Sequence, residues 1–165
     1  MRILIFTEGT ILMHKNAEGY TREEIVKQSK GIIGLFKDQS VHKYESYIPI
    51  GNAVKKLRNW KKCGAELLYM TSRRKTDEIE QIRAVLKIFR FPQGQLLFRQ
   101  KNEEYHEIVE KVIPEILVED DCESIGGRKE MTITNVSSKI KNIIKSIPVK
   151  EFGGIDHLPD KITEL

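Results

Sequence analysis

The sequence predicts an α/β protein: a three-layer, Rossmann-like parallel sheet with helices on both faces and a small helical flap inserted after the first strand. Three observations predict it. Short apolar runs of strand length alternate with stretches of helical period, the pattern of a parallel sheet with crossover helices. The runs are apolar on both faces, as strands buried between two helical layers must be. Residues 11–50 interrupt the alternation once, and that interval is too long for an ordinary strand-to-helix connection.

The first run is Arg2-Ile3-Leu4-Ile5-Phe6, broken by Thr7-Glu8-Gly9-Thr10. Within the interruption, Thr21-Arg22-Glu23-Glu24 reads as a capping box ahead of Ile25 and Val26. It predicts a helix in a flap over the C-terminal strand ends, where open α/β sheets bind ligands. Ala53, Leu57 and Trp60 then share a helical face behind Asn52, a residue type suited to capping. The second run, Ala65 to Met70, ends at Thr71-Ser72-Arg73. Ile79, Ile82, Leu86 and Phe89 form the next helical stripe behind Thr76, and Gln95 to Phe98 the third strand. Tyr105, Ile108, Val109 and Val112 follow Asn102 at i, i+3, i+4 and i+7 spacing. The fourth strand, Ile116-Leu117-Val118, stops at Glu119-Asp120-Asp121. Ile140, Ile143, Ile144 and Ile147 predict a last helix behind Ser137. Ile147 to Lys150 predicts a fifth strand, at an edge because Pro148 donates no ladder hydrogen bond.

The chain has 165 residues, a length suited to one domain over 1–165 with a core that needs neither disulfides nor structural metal. Cys63 and Cys122 are too few for a disulfide scaffold, and no second cysteine or histidine stands near either at zinc spacing. The formal charge is +4 and the pI about 9.0, yet the lysines and arginines are spread along the chain among nearly as many acids. No dense basic run interleaved with aromatics and no nucleic-acid-binding signature is present, so a nucleic-acid partner is not expected. No apolar stretch approaches the ~20 residues of a membrane span, and Met1 is not followed by an export leader. A cytoplasmic protein is expected, and the sequence does not specify its oligomeric state.

The residues that carry chemistry fall at the ends of successive sheet segments: Thr7-Glu8-Gly9-Thr10, Thr71-Ser72-Arg73, Lys101 before the helix near 103, and Glu119-Asp120-Asp121. Their order and spacing resemble the haloacid dehalogenase (HAD) superfamily of phosphohydrolases, over residues 1 to about 125. In that family the first motif reads Asp-x-Asp-Gly-Thr, with a nucleophilic and an acid/base carboxylate. Counting back from Gly9-Thr10, the resemblance places Glu8 at the acid/base position and Phe6 at the nucleophile position. A one-residue deletion would instead seat Thr7 there, but a strand of period two points Thr7 and Glu8 apart. It also implies that Thr10, Thr71, Ser72 and Arg73 meet the phosphate, that Lys101 offsets charge, and that Asp120 and Asp121 hold Mg²⁺. The acids support a cation independently, because crowded carboxylates repel unless a cation or a raised pKa intervenes, and oxygen donors suit Mg²⁺.

Three readings follow. The first is a HAD-like protein with a partial phosphate and Mg²⁺ site and no nucleophile, silent by the family mechanism, with a phosphorylated small molecule as its ligand. The second is a working phosphatase that uses Thr7, Glu8 or water activated near Asp120 and Asp121. The third is a binding or assembly module on the same scaffold. Of the histidines, only His14 is expected near the ligand. The tail around Phe152 to Pro159 reads as a tight turn that returns Leu158 to the body.

Overall fold

The structure, a computed structural model, describes residues 1–30 and 42–165. Five parallel strands form one sheet: β1 (Arg2–Phe6), β4 (Glu66–Met70), β5 (Gln95–Leu97), β6 (Ile116–Asp120) and β7 (Lys145–Val149). Their order is β5-β4-β1-β6-β7, which puts the first apolar run at the centre and the proline-bearing strand at an edge. Register is set by the pleat. Ile3 and Ile5 face one core, and Leu4 and Phe6 face the other.

Helices cover both faces, so the three-layer expectation holds. On the first face α2 (Ala53–Lys62) and α3 (Thr76–Ile88) bury Leu57, Trp60, Ile79, Ile82 and Val85. On the second, α4 (Tyr105–Val112) buries Ile108 and Val109 over Leu4, Met70 and Leu117. Burying one such side chain contributes roughly 1.5–3 kcal/mol, so these faces supply the main cohesion of the fold. The tail after β7 completes the first core with Ile155, Leu158, Ile162 and Leu165, and Trp60 Nε1 donates to the Pro159 carbonyl at 2.9 Å.

The insertion is clasped at its base. A two-residue ribbon, β2 (Leu12–Met13) against β3 (Ile48–Pro49), runs antiparallel, and Ile50 N donates to the Ile11 carbonyl at 2.9 Å. Within it α1 (Arg22–Ser29) begins with the expected capping box: Thr21 N donates to Glu24 at 2.8 Å and Glu24 N to Thr21 Oγ1 at 3.3 Å. The stretch 31–41 of the expected flap lies outside the described residues.

Local expectations fail where distant partners decide. Asn52 does not cap α2 with its side chain; instead the Asp156 carboxylate accepts from Asn52 N at 2.9 Å. Gly51, at φ +52°, permits this approach, since a Cβ there would stand 2.6 Å from Asp156. The last helical stripe does not run to Ile147. Two short helices, α5 (Thr132–Asn135) and α6 (Ser138–Lys141), end before Lys145, where the chain enters β7. Pairing with β6 overrides the helical period there, and Ile143 is left exposed. β6 also runs two residues past its apolar core, so Glu119 and Asp120 are strand residues that pair with Pro148 and Val149.

Candidate functional site

The C-terminal ends of β1, β4 and β6 open into a cavity of about 490 Å³. Phe6 and Glu8 reach it from the end of β1, Arg73 from beyond β4, Arg99 from beyond β5, Asp120 from β6 and Glu151 from beyond β7. The flap adds Tyr44, whose hydroxyl accepts from Arg73 Nη1 and whose ring lies 4.6 Å from the Arg73 guanidinium carbon.

Glu8 is the hub of the β1 and β4 ends. Its Oε2 accepts from Thr7 Oγ1 at 2.5 Å and from Ser72 N at 3.2 Å. Its Oε1 accepts from Thr71 Oγ1 at 2.6 Å and lies 3.1 Å from Arg73 Nε. Two hydroxyls, one main-chain amide and one guanidinium therefore converge on a single carboxylate. The expectation that Thr7 and Glu8 point apart is corrected here. The strand ends at Phe6, and the turn through Gly9, at φ +79°, folds the Glu8 side chain back to Thr7. Burial alone lowers the pKa of Arg73, but Glu8, Tyr44 and Tyr47 more than offset it and hold the guanidinium above its ordinary value.

The acids divide between two directions. Asp120 is 8% exposed; its Oδ2 accepts from Thr10 Oγ1 at 3.1 Å and its Oδ1 from Cys122 N at 3.0 Å. Burial, with Glu151 adding to it, pushes its carboxyl up to about 6. Glu119 accepts from the main-chain N–H groups of Thr132 and Ile133 at 2.8 and 3.0 Å, and burial raises it to about 7 despite those bonds. Asp121 does not line this cavity. Its Oδ1 accepts from Glu151 N at 3.0 Å, and its Oδ2 lies 3.4 Å from Lys150 Nζ. With Asp120 on the cavity and Asp121 held by Lys150 and Glu151 N, the two aspartates do not meet as a pair. Among the described residues no three His, Cys, Asp or Glu side chains are grouped to hold a metal.

The expected site residues are thus partly gathered. Glu8, Ser72, Arg73 and Asp120 line the cavity, as does the buried His14. Thr7, Thr10 and Thr71 are fully buried behind its wall and act through their hydroxyls on Glu8 and Asp120. Lys101 stands exposed in the turn ahead of α4, away from the cavity, and the cation that the segment delivers is Arg99. The Arg99 guanidinium lies 3.9 Å from the Tyr105 ring centroid and pairs with Glu104 at 2.7 Å. Glu151, 7% exposed and accepting from Ser124 N and Oγ at 2.6 Å each, was missed with Arg99 and Tyr44. The one signal for Glu151 was an acid directly after an edge strand. Cys122 meets the cavity, and burial beside Asp120 drives its thiol far above the ordinary range, which disfavours the thiolate.

No family profile and no curated protein matches the chain. Solved structures do. A class C acid phosphatase from Bacillus anthracis, determined with tungstate bound, superposes with TM-score 0.57 at 14% identity over 93% of this chain and 68% of its own. A chain of the Pnkp1/Rnl/Hen1 RNA repair complex superposes with TM-score 0.54 at 12% identity, over 90% of this chain and 42% of its own. A second structure of that complex gives TM-score 0.54 at 11% identity, over 45% of its chain. The likeness is one of fold. The chain spans less than half the length of the RNA repair chains it matches. With the five-stranded parallel order, it shows a parallel α/β fold shared with those structures.

Proposed function

We propose that this protein is a HAD-like relative of the phosphohydrolases that does not transfer phosphate through a carboxylate nucleophile. One observation carries the reading: the last residue of the central strand, where such a carboxylate would stand, is Phe6. Its ring packs edge to face on Tyr105 with centroids 5.3 Å apart. A benzyl group offers no oxygen to phosphorus, and losing a nucleophile removes several orders of magnitude in rate.

What persists is a set of donors. Ser72 and Arg73 border the cavity and Thr71 stands behind them, donor types that suit a phosphorylated small molecule but that are gathered here on Glu8. The residues do not assemble the two-acid Mg²⁺ site. Asp120 alone of the pair faces the cavity with both oxygens accepting hydrogen bonds, while Asp121 is committed to Lys150 and to Glu151 N. No step is therefore routed through a metal.

A remodelled phosphatase that uses Thr7 has one feature in its favour, the 2.5 Å contact between the Thr7 hydroxyl and Glu8, because a hydroxyl nucleophile needs an adjacent base. Thr7 is, however, 0% exposed and has no face on the cavity. The deciding experiment is a phosphatase assay across many phosphate esters with Mg²⁺ supplied. No turnover above background is expected. Robust turnover abolished by Glu8→Ala or Asp120→Ala would overturn the reading.

A further inference from the structure

We infer that Glu8 is an internal occupant of an oxyanion site: the groups that hold its carboxylate form a cradle that takes phosphate once that carboxylate is removed, and that excludes phosphate while it stays. The inference rests on the reading of a donor set retained from a phosphate-binding scaffold and names what controls that site.

The donor set defines the cradle. Thr7 Oγ1, Thr71 Oγ1 and Ser72 N all donate to Glu8, and Arg73 Nε lies 3.1 Å from it. Convergent hydroxyl, amide and guanidinium donors on one anion are the arrangement that binds oxyanions strongly, because charge-assisted hydrogen bonds are shorter and stronger than neutral ones. The donors are fixed independently of Glu8. Thr7 N donates to the Met70 carbonyl at 2.9 Å and Thr71 N to the Leu97 carbonyl at 3.0 Å, so sheet pairing holds both threonines in place. Arg73 is anchored from outside by the Tyr44 hydroxyl and ring.

The cradle also opens to the cavity. Glu8, Ser72 and Arg73 all line it, while Thr7 and Thr71 back it from the buried side. Removing the Glu8 side chain extends the cavity into these donors without adding a group. With Glu8 present, an incoming phosphate meets a carboxylate already hydrogen-bonded to Thr7, Thr71 and Ser72 N and ion-paired with Arg73, and the like charges repel. The remaining cavity acids, Glu119, Asp120, Glu130 and Glu151, add no donor that would replace those taken by Glu8.

The test is binding of inorganic phosphate by calorimetry to the wild type, Glu8→Ala and Glu8→Ala/Thr71→Val, with folding checked by melting. Glu8→Ala is expected to bind phosphate about tenfold or more tightly than the wild type, the worth of one hydrogen bond to a charged group. Thr71→Val is expected to reverse the gain. Glu8→Gln, which keeps the side-chain volume and loses the charge, is the second variant, also expected to bind more tightly than the wild type. Equal binding by the wild type and the variants would overturn the inference, as would no binding by any of them. The readout uses phosphate alone, with no turnover, so its failure is distinct from the discovery of phosphatase activity in the wild type.

Discussion

Phe6 and Tyr105 meet edge to face, with centroids 5.3 Å apart and planes inclined at 73°, so the last residue of β1 is locked to the first residue of α4. The Arg99 guanidinium lies over the same Tyr105 ring, which makes a three-membered stack on one side of the cavity. Phe6 is therefore a packing residue, joined in one apolar cluster to Leu4, Met70 and Ile108.

Phe6→Ala should cost about 3 kcal/mol, the lower end for a buried aromatic, because Phe6 borders space that already exists. Urea denaturation measures it. A loss below about 1 kcal/mol would show that the ring is not packed as described.

Stability should depend on pH through the buried acids. Asp120 and Glu119 titrate at about 6 and about 7 in the folded chain, both raised by burial from the ordinary carboxylate range. Between roughly pH 4 and 7 the folded state thus holds protons that the unfolded chain has released, and the contribution of these groups to stability falls as pH rises. Asp120→Asn removes one of them and lets Thr10 turn its hydroxyl to accept. Relative to the wild type, the variant should gain in melting temperature as pH rises from 4.5 to 7.5. A constant difference across that range would contradict the assignment.

Mg²⁺ added at pH 7.5 should leave the wild-type melting temperature unchanged, since Asp121 is turned from the cavity and Asp120 is already satisfied. A saturable rise with Mg²⁺ that vanishes in Asp120→Asn would reinstate the two-acid expectation.

Asp156→Ala should remove the carboxylate that accepts from Asn52 N, at a cost of about 1 kcal/mol, typical of a lost helix cap. Asp156→Asn keeps an acceptor and should lose less. Thermal melts of the two variants side by side test the order.

Removing residues 155–165 should uncover Trp60, the only tryptophan in the sequence, which is 0% exposed and hydrogen-bonded to Pro159. A red shift of its emission is the expected result. Unshifted emission in a folded truncated chain would mean that the tail does not cover it.

The central strands β1, β4 and β6 were legible because their runs are apolar on both faces and need no distant partner to be recognised. Glu8, Ser72, Arg73 and Asp120 were legible as residues at strand ends. Arg99 was not, because β5 ends in an irregular segment with Asn102 at φ +63°, where periodicity says nothing about direction. Asp121 was misassigned because it lies one residue past the end of β6, where its carboxylate is taken by Lys150 and by Glu151 N from beyond β7, partners that no local pattern encodes. Thr7 and Glu8 failed because the period of two was applied past the end of the strand. Glu151 and Tyr44 reach the site through long-range folding of the tail and flap, which no local pattern encodes.

The ribbon of Leu12 and Met13 against Ile48 and Pro49 brings the two ends of a long excursion side by side on the body of the molecule. Closing a loop depends only weakly on its length. Changes in length between those ends are therefore tolerated by the sheet only where they keep Tyr44 and Tyr47, which lie in the first core, in place. The clasp thus lets the mouth vary while its two buried tyrosines stay fixed to the body, and an insertion at the exposed turn of Gly19 and Tyr20 should leave the fold intact.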